Sequence, residues 1–260
     1  MRLITLLTDL GNKDHYLAVL KATIYSKIPD ARIIDISNEV GKFNVYEASF
    51  LLKNSFSYFP ERTFHIIGVN GLQAKKNRFL IFYYKKQFIL TPDNGLFKLF
   101  TDEEPDTVIE IEHNGYNATG YIRDVLVETI HKITINTPAA EIGDATSSYV
   151  KLLSYQPAIT QSSITGRCVY IDSFGNVITN ISEKLFHEVG KGRSFIINIP
   201  GEEIDEISEN YTDVRNGDVL ALFNSGGQLE IAINGENAGK MIFPRSLNQN
   251  DFLITVEFAE

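Results

Sequence analysis

The order of apolar and polar residues gives the two halves of this chain different predicted architectures. In the first half, short apolar runs alternate with stretches in which apolar residues recur at helical spacing. The runs predict strands over residues 3–8, 33–36 and 64–69, and the helical stretches cover about 14–28 and 43–59. Strands that alternate with helices favour an α/β domain with a mainly parallel sheet, because parallel neighbours need crossover connections.

The later segments predict a second, smaller domain. A hairpin over residues 79–84 and 88–91 and a helix through residues 122–133 complete the first half, and the pattern then weakens between 138 and 162. Beyond that point, short strands separated by glycine-rich turns indicate an antiparallel barrel or sandwich. They are predicted at 168–171, 177–181, 194–199, 219–223, 229–233 and 252–258. We therefore expect an α/β domain over residues 1–150 and a β domain over residues 160–260.

Composition narrows the classes of function. The chain has 260 residues and a net charge of −9, which disfavours binding to nucleic acids and to anionic lipid surfaces. Cys168 is the only cysteine, so a disulfide within the chain and a cysteine-based metal site are excluded, and the five histidines lack metal-ligand spacing. No apolar run approaches the roughly 20 residues of a membrane-spanning helix. A protein of a reducing cytoplasm, without a bound metal or cofactor, is the simplest expectation.

A carboxylate follows the first predicted strand. Asp9 lies in the segment LLTDLG at residues 6–11, where the strand pattern gives way to a helix. Ligands of open α/β sheets bind beyond the carboxyl ends of the strands, where a carboxylate can accept both hydroxyls of a ribose. Asp9 is equally suited to capping the helix that follows. No glycine-rich dinucleotide or phosphate-loop motif comes after it, so those two ligand classes lose support.

A second candidate lies in the predicted β domain, in the segment YIDSFGNVITNI at residues 170–181. Gly175 lies between an aromatic ring and an amide inside a strand pattern, which indicates a bulge or a close backbone approach. Phe174 offers a flat stacking face, Asn176 offers amide donors and an acceptor, and Asp172 can hold a cation or a hydroxyl. This combination suits a purine attached to a charged group. A packed ring and a turn amide in an ordinary bulge are the alternative.

Taken in order along nearly the full chain, these segments resemble the S-adenosylmethionine hydroxide adenosyltransferase family, which also contains the fluorinase and chlorinase enzymes. The segments are LLTDLG, ARIIDIS, EASFLL, TPDNGL, YIDSFGNVITNI and LEIAINGENA. The resemblance implies an α/β N-terminal domain, a β C-terminal domain and a homotrimer with sites between neighbouring subunits. It also implies that S-adenosylmethionine is the substrate or ligand, and that water attacks its ribose carbon to give adenosine and methionine.

The resemblance further implies roles for individual residues. Asp9 would hold the ribose diol, and Asp172 would bind the methionine amine. Phe174 would stack on the nucleoside and Asn176 would hydrogen-bond it. An NS turn and an NA dipeptide near the C-terminus would meet adenine, and these positions are Asn224, Ser225, Asn237 and Ala238. Each of the four is ordinary turn chemistry when taken alone, so their assignment rests on the resemblance.

The chain departs from the family at the positions of its chemistry. Hydrolytic members carry a DPGVG-x-x-R element after the third strand and an HGRD element that opens a later helix, and their Asp, Arg and His position and activate water. On the simplest ungapped match, these residues are replaced by Asn70, Asn77 and Tyr121. An Asn cannot accept a proton or supply a guanidinium fork, and a Tyr, with an ordinary pKa of about 10, is a poor base at neutral pH. Arg78 would supply the cation if the loop were shifted by one residue.

Three functions therefore stay open. Slow hydrolysis is feasible, because the sulfonium is already an excellent leaving group and the reaction needs mainly orientation and a bound water. The altered trio favours instead a catalytically silent binder of S-adenosylmethionine or adenosine, acting as a sensor or a subunit. A different nucleophile is the third function, since fluorinase-type members also lack the hydrolytic trio. Against it, Asn70, Gln73 and Ile122 do not reproduce the Tyr, Thr and Ser that line the halide pocket of those enzymes.

Overall fold

Two compact units make up the chain. The computed structural model describes residues 2–70, 77–116, 120–242 and 252–259, so Gln73 lies outside the described residues. The units are Met1–Ser154 and Tyr155–Glu260, and each has its own buried apolar core. Within the described ranges, no helix has the length and apolar composition needed to cross a bilayer.

The N-terminal unit is built on a mixed sheet. Its described strands are β1 (Arg2–Thr8), β2 (Ala31–Ser37), β3 (Phe64–Gly68), β4 (Phe79–Tyr84), β5 (Gln87–Pro92), β6 (Thr107–Ile111) and β7 (Gly143–Ala145), in the order β2-β1-β3-β5-β4-β6-β7. The first four strands of this order pair in parallel, whereas β4, β6 and β7 extend the sheet antiparallel. The expectation of a mainly parallel sheet is therefore replaced by a mixed one. The two-residue turn of Lys85 and Lys86, both with positive φ, makes β4 and β5 a hairpin.

Helices cover both faces of this sheet. On one face lie α1 (Tyr16–Lys27), a π-helical segment (Ile122–Val127) and its continuation α4 (Glu128–Thr134), and on the other lie α2 (Val45–Ser55) and α3 (Leu96–Phe100). Successive strand residues point to opposite faces, so Ile66 and Ile67 of β3 belong to different apolar clusters. The predicted α/β layering is confirmed for this half of the chain.

The C-terminal unit is an antiparallel, nearly barrel-like sheet, as predicted. Its described strands are β8 (Ala158–Ile159), β9 (Ser163–Ile171), β10 (Val177–Ser182), β11 (Phe195–Ile199), β12 (Glu202–Ile204), β13 (Val219–Phe223), β14 (Gln228–Ile233) and β15 (Leu253–Phe258). They run in the order β12-β11-β15-β9-β10-β14-β13, with β8 beside β9. Two short helices, α5 (Glu183–Gly190) and α6 (Ala238–Met241), are additions that the pattern did not predict. Both begin at side-chain caps, Ser182 and Asn237.

Candidate functional site

A cavity of about 630 Å³ in the C-terminal unit brings together four of the predicted binding residues. Asp172, Phe174 and Asn176 enter it from the loop between β9 and β10, and Asn237 enters it from the cap of α6. The acidic Glu236 also lines the cavity, and none of the described residues around it is Lys or Arg. An apolar wall with acidic groups and no cation suits a planar ligand that carries positive charge.

Asp172 holds the loop that displays the aromatic ring. Its Oδ1 accepts hydrogen bonds from the backbone N–H groups of Phe174 at 2.9 Å and Asn176 at 2.8 Å, and its Oδ2 accepts from Asn176 Nδ2 at 3.1 Å. The loop is thereby fixed with Asn176 buried and the Phe174 ring 81% exposed. A carboxylate has about four acceptor positions, so Asp172 keeps capacity for a cationic group of a ligand.

Gly175 lets this loop pack against α6. Its φ is +93°, and a Cβ at this position would lie 2.1 Å from Cγ of Asn237. The Gly239 N–H donates to the Gly175 carbonyl at 2.8 Å, and Asn237 Oδ1 accepts from the Lys240 N–H at 2.8 Å as the cap of α6. The close backbone approach predicted at Gly175 is confirmed. Ala238, beside Asn237, is fully buried and offers a small, tight-packing surface.

The turn at Asn224 lies outside this cavity but is connected to its wall. Asn224 Oδ1 accepts from the N–H groups of Gly226 at 2.9 Å and Gln228 at 3.2 Å, so the side chain shapes its own turn, and Ser225 is exposed. Asn224 Nδ2 donates to Glu230 Oε2 at 3.2 Å, and Tyr211 of the cavity wall donates to Glu230 Oε1 at 2.7 Å. Sequence reasoning missed Tyr211, because no motif distinguishes this tyrosine from the others.

In the N-terminal unit, Asp9 joins the ends of two neighbouring strands. Its Oδ2 accepts from the Phe43 N–H at 3.0 Å and from the Asn70 N–H at 3.4 Å, while its own N–H donates to Gly68 at 3.5 Å. Thr8, just before it, donates to the buried Asn38 Oδ1 at 2.8 Å. Asp9 therefore braces the loop before α2 and the end of β3. Within the described residues, Oδ1 makes no hydrogen bond and remains able to receive a hydroxyl.

Of the three candidate catalytic positions, Asn70 has the least ordinary geometry. It has a positive φ of 56°, and its buried Oδ1 has no hydrogen-bond partner within the described residues. The residue before Asn70 is fixed by Asn94, because Asn94 Nδ2 donates to the Val69 carbonyl at 2.8 Å. A left-handed Asn with an unsatisfied buried oxygen costs folding free energy, and such features concentrate at ligand sites.

Asn77 and Arg78 lie in different surroundings although they are adjacent. Asn77 is exposed, has a φ of 54° and interacts through its carbonyl with His113 Nε2 at 3.3 Å. The Arg78 guanidinium is engaged by Asp93 Oδ2 at 2.9 Å and Glu110 Oε2 at 2.7 Å, which raises its pKa, with the Glu110 hydrogen bond as the largest cause. Arg78 is therefore committed to holding the turn after β5 and strand β6.

Tyr121 lies among aromatic rings at the start of the π-helical segment. Only 8% of the residue is exposed, and its ring stacks on the Phe79 ring with 5.6 Å between the centroids. The Tyr116 ring meets it edge to face at a centroid distance of 6.3 Å. The next residue, Ile122, packs against Gly68, where a Cβ would lie 2.3 Å from Ile122 Cδ1. The segments carrying Asn70 and Tyr121 are thus neighbours. π-helical turns are uncommon and frequently accompany functional sites.

Among the described residues, neither metal binding nor thiol chemistry is supported. No group of three or more His, Cys, Asp or Glu within the described ranges is arranged to hold a metal ion. Burial raises the pKa of the Cys168 thiol to about 12, which keeps the thiol protonated and unreactive.

Both units match known protein families or relatives. The sequence model of the SAM hydroxide adenosyltransferase N-terminal domain matches residues 4–143, and that of the C-terminal domain matches residues 166–243. Two curated relatives carry the name (R)-S-adenosyl-L-methionine hydrolase. The protein of Methanocaldococcus jannaschii is 28% identical over 92% of this chain and 91% of its own length. The protein of Thermus thermophilus is 25% identical over 92% of this chain and 94% of its own.

A solved structure agrees with these matches. The crystal structure of an uncharacterized conserved protein from Thermotoga maritima is similar with a TM-score of 0.84 and 29% identity, covering 97% of this chain and 99% of that protein. Because the two domain matches together extend over most of the sequence in the expected order, the chain belongs to the SAM hydroxide adenosyltransferase family.

Proposed function

We propose that this protein binds S-adenosylmethionine and hydrolyses it slowly to adenosine and methionine. A water oxygen attacks the ribose carbon next to the sulfonium and forms the 5′ hydroxyl of adenosine. The carbon–sulfur bond breaks, its electron pair returns to sulfur as the methionine thioether, and one proton is released. The names of the curated relatives support this reaction over a catalytically silent binder.

The observation that carries the proposal is the cavity of the C-terminal unit. An exposed Phe174 ring and the carboxylates of Asp172 and Glu236 surround a space without Lys or Arg among its described lining residues. We assign adenine stacking to Phe174, nucleoside hydrogen bonding to Asn176 and the methionine amine to Asp172. Further adenine contacts are assigned to the turn and the helix cap near the C-terminus, at Asn224, Ser225, Asn237 and Ala238.

The N-terminal unit supplies the reason for expecting a slow reaction. We assign the ribose diol to Asp9, whose Oδ1 has no partner within the described residues. Asn70, Asn77 and Tyr121 are assigned to the positions at which hydrolytic members carry Asp, Arg and His. Removal of general-base and electrostatic assistance costs roughly two to four orders of magnitude per contribution.

The deciding experiment is an incubation of the purified protein with S-adenosylmethionine, followed by chromatography for adenosine and methionine, with and without added halide. Both sulfonium epimers should be offered, because the curated relatives are named for the (R) form. Enzyme-dependent release of both products supports hydrolysis. Tight binding without turnover would establish the silent binder instead, and a halogenated nucleoside would establish the altered nucleophile. Calorimetry showing no binding of adenosine or S-adenosylmethionine would contradict all three.

A homotrimer in the cytoplasm completes the proposal. The resemblance divides each site between neighbouring subunits, so a closed cyclic assembly would be required for binding. Light scattering should report three times the chain mass, and a stable monomer that still binds adenosine would contradict the assignment. The cytoplasmic location rests on the single cysteine, since exported proteins of this size often carry disulfides. Fractionation of the native cells tests it.

A further inference from the structure

A buried carboxylate lies directly behind the cavity wall. Glu230, in the middle of β14, is 2% exposed, and no Lys, Arg or His among the described residues forms an ion pair with it. Burying a carboxylate without a cation is costly unless its oxygens receive good hydrogen bonds. An apolar residue would fill this strand position at lower cost. The position of Glu230 is therefore explained by what its oxygens contact rather than by packing.

Each oxygen of Glu230 fixes a different part of the candidate site. Oε1 accepts from the hydroxyl of Tyr211 at 2.7 Å, and the Tyr211 ring, 44% exposed, lines the cavity that Phe174 also lines. Oε2 accepts from Asn224 Nδ2 at 3.2 Å. Burial, followed by the hydrogen bond to Glu230, raises the pKa of Tyr211, so its hydroxyl stays protonated and donates.

Tyr211 lies in a short segment without buried residues. It belongs to a three-residue helical turn, Tyr211–Asp213, in a long connection between β12 and β13, and none of the residues in that turn is buried. Asn210 and Asp213 cap the turn through each other. The hydrogen bond to Glu230 joins the phenol oxygen directly to β14.

We propose that Glu230 is a positioning residue that holds the Tyr211 wall of the cavity and the Asn224 turn in one fixed arrangement for the nucleoside. The inference rests on the proposed function, because it names a determinant of that same site. Glu230 touches no ligand itself. A rigid, preorganised wall lowers the ordering cost of binding, so loss of the carboxylate should weaken nucleoside affinity without removing any group that meets the nucleoside.

The test measures adenosine affinity by calorimetry on the full-length protein. Glu230→Gln retains the side-chain volume, but it leaves one acceptor oxygen where the carboxylate has two and removes the charge that strengthens both hydrogen bonds. We expect about tenfold weaker binding, near the lower end of the contribution of one hydrogen bond to a charged group. The control is Glu257→Gln, the same chemical change at an exposed position of β15, which should leave the affinity unchanged.

Tyr211→Phe supplies the second arm, because it keeps the ring and removes only the hydroxyl. If Glu230 acts through this hydroxyl, the double variant Glu230→Gln/Tyr211→Phe should bind adenosine with about the same affinity as the single variant that binds less tightly. Independent effects would instead multiply to about a hundredfold loss. Thermal unfolding of every variant is measured alongside, since a purely structural role lowers the midpoint and leaves the affinity of the folded protein unchanged.

The outcomes separate this inference from the proposed function. If the wild type binds neither adenosine nor S-adenosylmethionine, the proposed function fails and this inference fails with it. If the wild type binds and both single variants bind as tightly, only the role of Glu230 is overturned. Should Glu230→Gln fail to fold, Tyr211→Phe decides alone. This variant keeps the ring and loses only the hydroxyl, so wild-type affinity in it contradicts the proposal.

Discussion

The candidate site residues of the two units differ in how far they are exposed. In the C-terminal unit, the loop held by Asp172 displays Phe174 at a cavity, with 81% of the residue exposed. In the N-terminal unit, the corresponding candidates are drawn into the structure: Tyr121 is packed among aromatic rings and Arg78 is held by two carboxylates. Phe174 is thus exposed at a cavity, whereas Tyr121 and Arg78 are held by contacts within the N-terminal unit.

This difference suggests that ligand binding and chemistry are separable in this family member. Binding needs a stacking surface, hydrogen bonds and a suitable charge, all of which the C-terminal unit offers in one cavity. Water activation needs a base and a cation, and we propose that Asn70, Asn77 and Tyr121 occupy the positions at which hydrolytic members carry these groups. A buried Asn70 oxygen without a partner in the described residues still indicates a site open to a donor.

The largest expected effect is a pH dependence that belongs to the N-terminal unit. His65 is fully buried, with its ring nitrogens hydrogen-bonded to Thr5 Oγ1 and Gln87 Oε1, each at 2.8 Å. Burial lowers its pKa from 6.5 to about 4. As the pH falls from 6.5 to 4, the unfolded chain binds a proton that the folded chain does not, so the stability falls. The loss is about 3 kcal/mol at pH 4.

Urea titrations at several pH values check this, with His65→Leu as the reference that removes the titrating group. Carboxylates also titrate in this range, so the difference between the two proteins isolates the histidine. A parallel pH dependence in both would contradict the assignment. Unfolding of the C-terminal unit should show no such difference.

The next effect tests how tightly the displayed loop is built. Gly175→Ala combines a left-handed backbone with a Cβ directed into Asn237, and we expect a loss of about 2 to 3 kcal/mol. Gly192→Ala is the matched control, because its φ is +78° but no atom lies within 4 Å of the added Cβ. It should cost about 1 kcal/mol, the backbone contribution alone. Equal losses, measured by chemical denaturation, would show that the contact with Asn237 contributes nothing.

The third experiment tests whether Asn70, Asn77 and Tyr121 replace the residues that activate water in hydrolytic members. Asn70→Asp, Asn77→Arg and Tyr121→His together should raise adenosine release by about ten- to hundredfold, a cautious fraction of the usual contribution of acid–base catalysis. Single changes should do little, because residues that act as a unit are not additive. The rate is measured by chromatography at saturating S-adenosylmethionine. A triple variant that binds normally and gains no rate would point to a loop rebuilt for another ligand.

The smallest expected effect concerns the stacking ring. Phe174→Ala should weaken adenosine binding about tenfold, since stacking of a base on an aromatic ring contributes about 1 to 3 kcal/mol. Tyr58→Ala removes an equally exposed aromatic ring from the N-terminal unit and serves as the control. Calorimetry that gives the same affinity for both variants would remove Phe174 from the site.

The sequence alone predicts those features that depend on residues close together in the chain. Apolar spacing located β1, β3 and α2, and the hairpin of β4 and β5 was predicted from two adjacent strand patterns. Gly175 between a ring and an amide indicated a close backbone approach, which Asn237 provides. Each of these follows from local sterics, because the residues concerned are close in sequence or restricted in φ.

Other features depend on residues that are far apart in the chain and are brought together only by folding. The antiparallel half of the N-terminal sheet consists of β4, β6 and β7, and the apolar pattern predicted neither β6 nor β7. Arg78 had appeared available until Asp93 and Glu110 were brought beside it. Tyr211 and Glu230 meet across 19 residues through the pairing of β13 and β14. A hydrogen bond between distant side chains leaves no periodic trace in a sequence, so only folding reveals it.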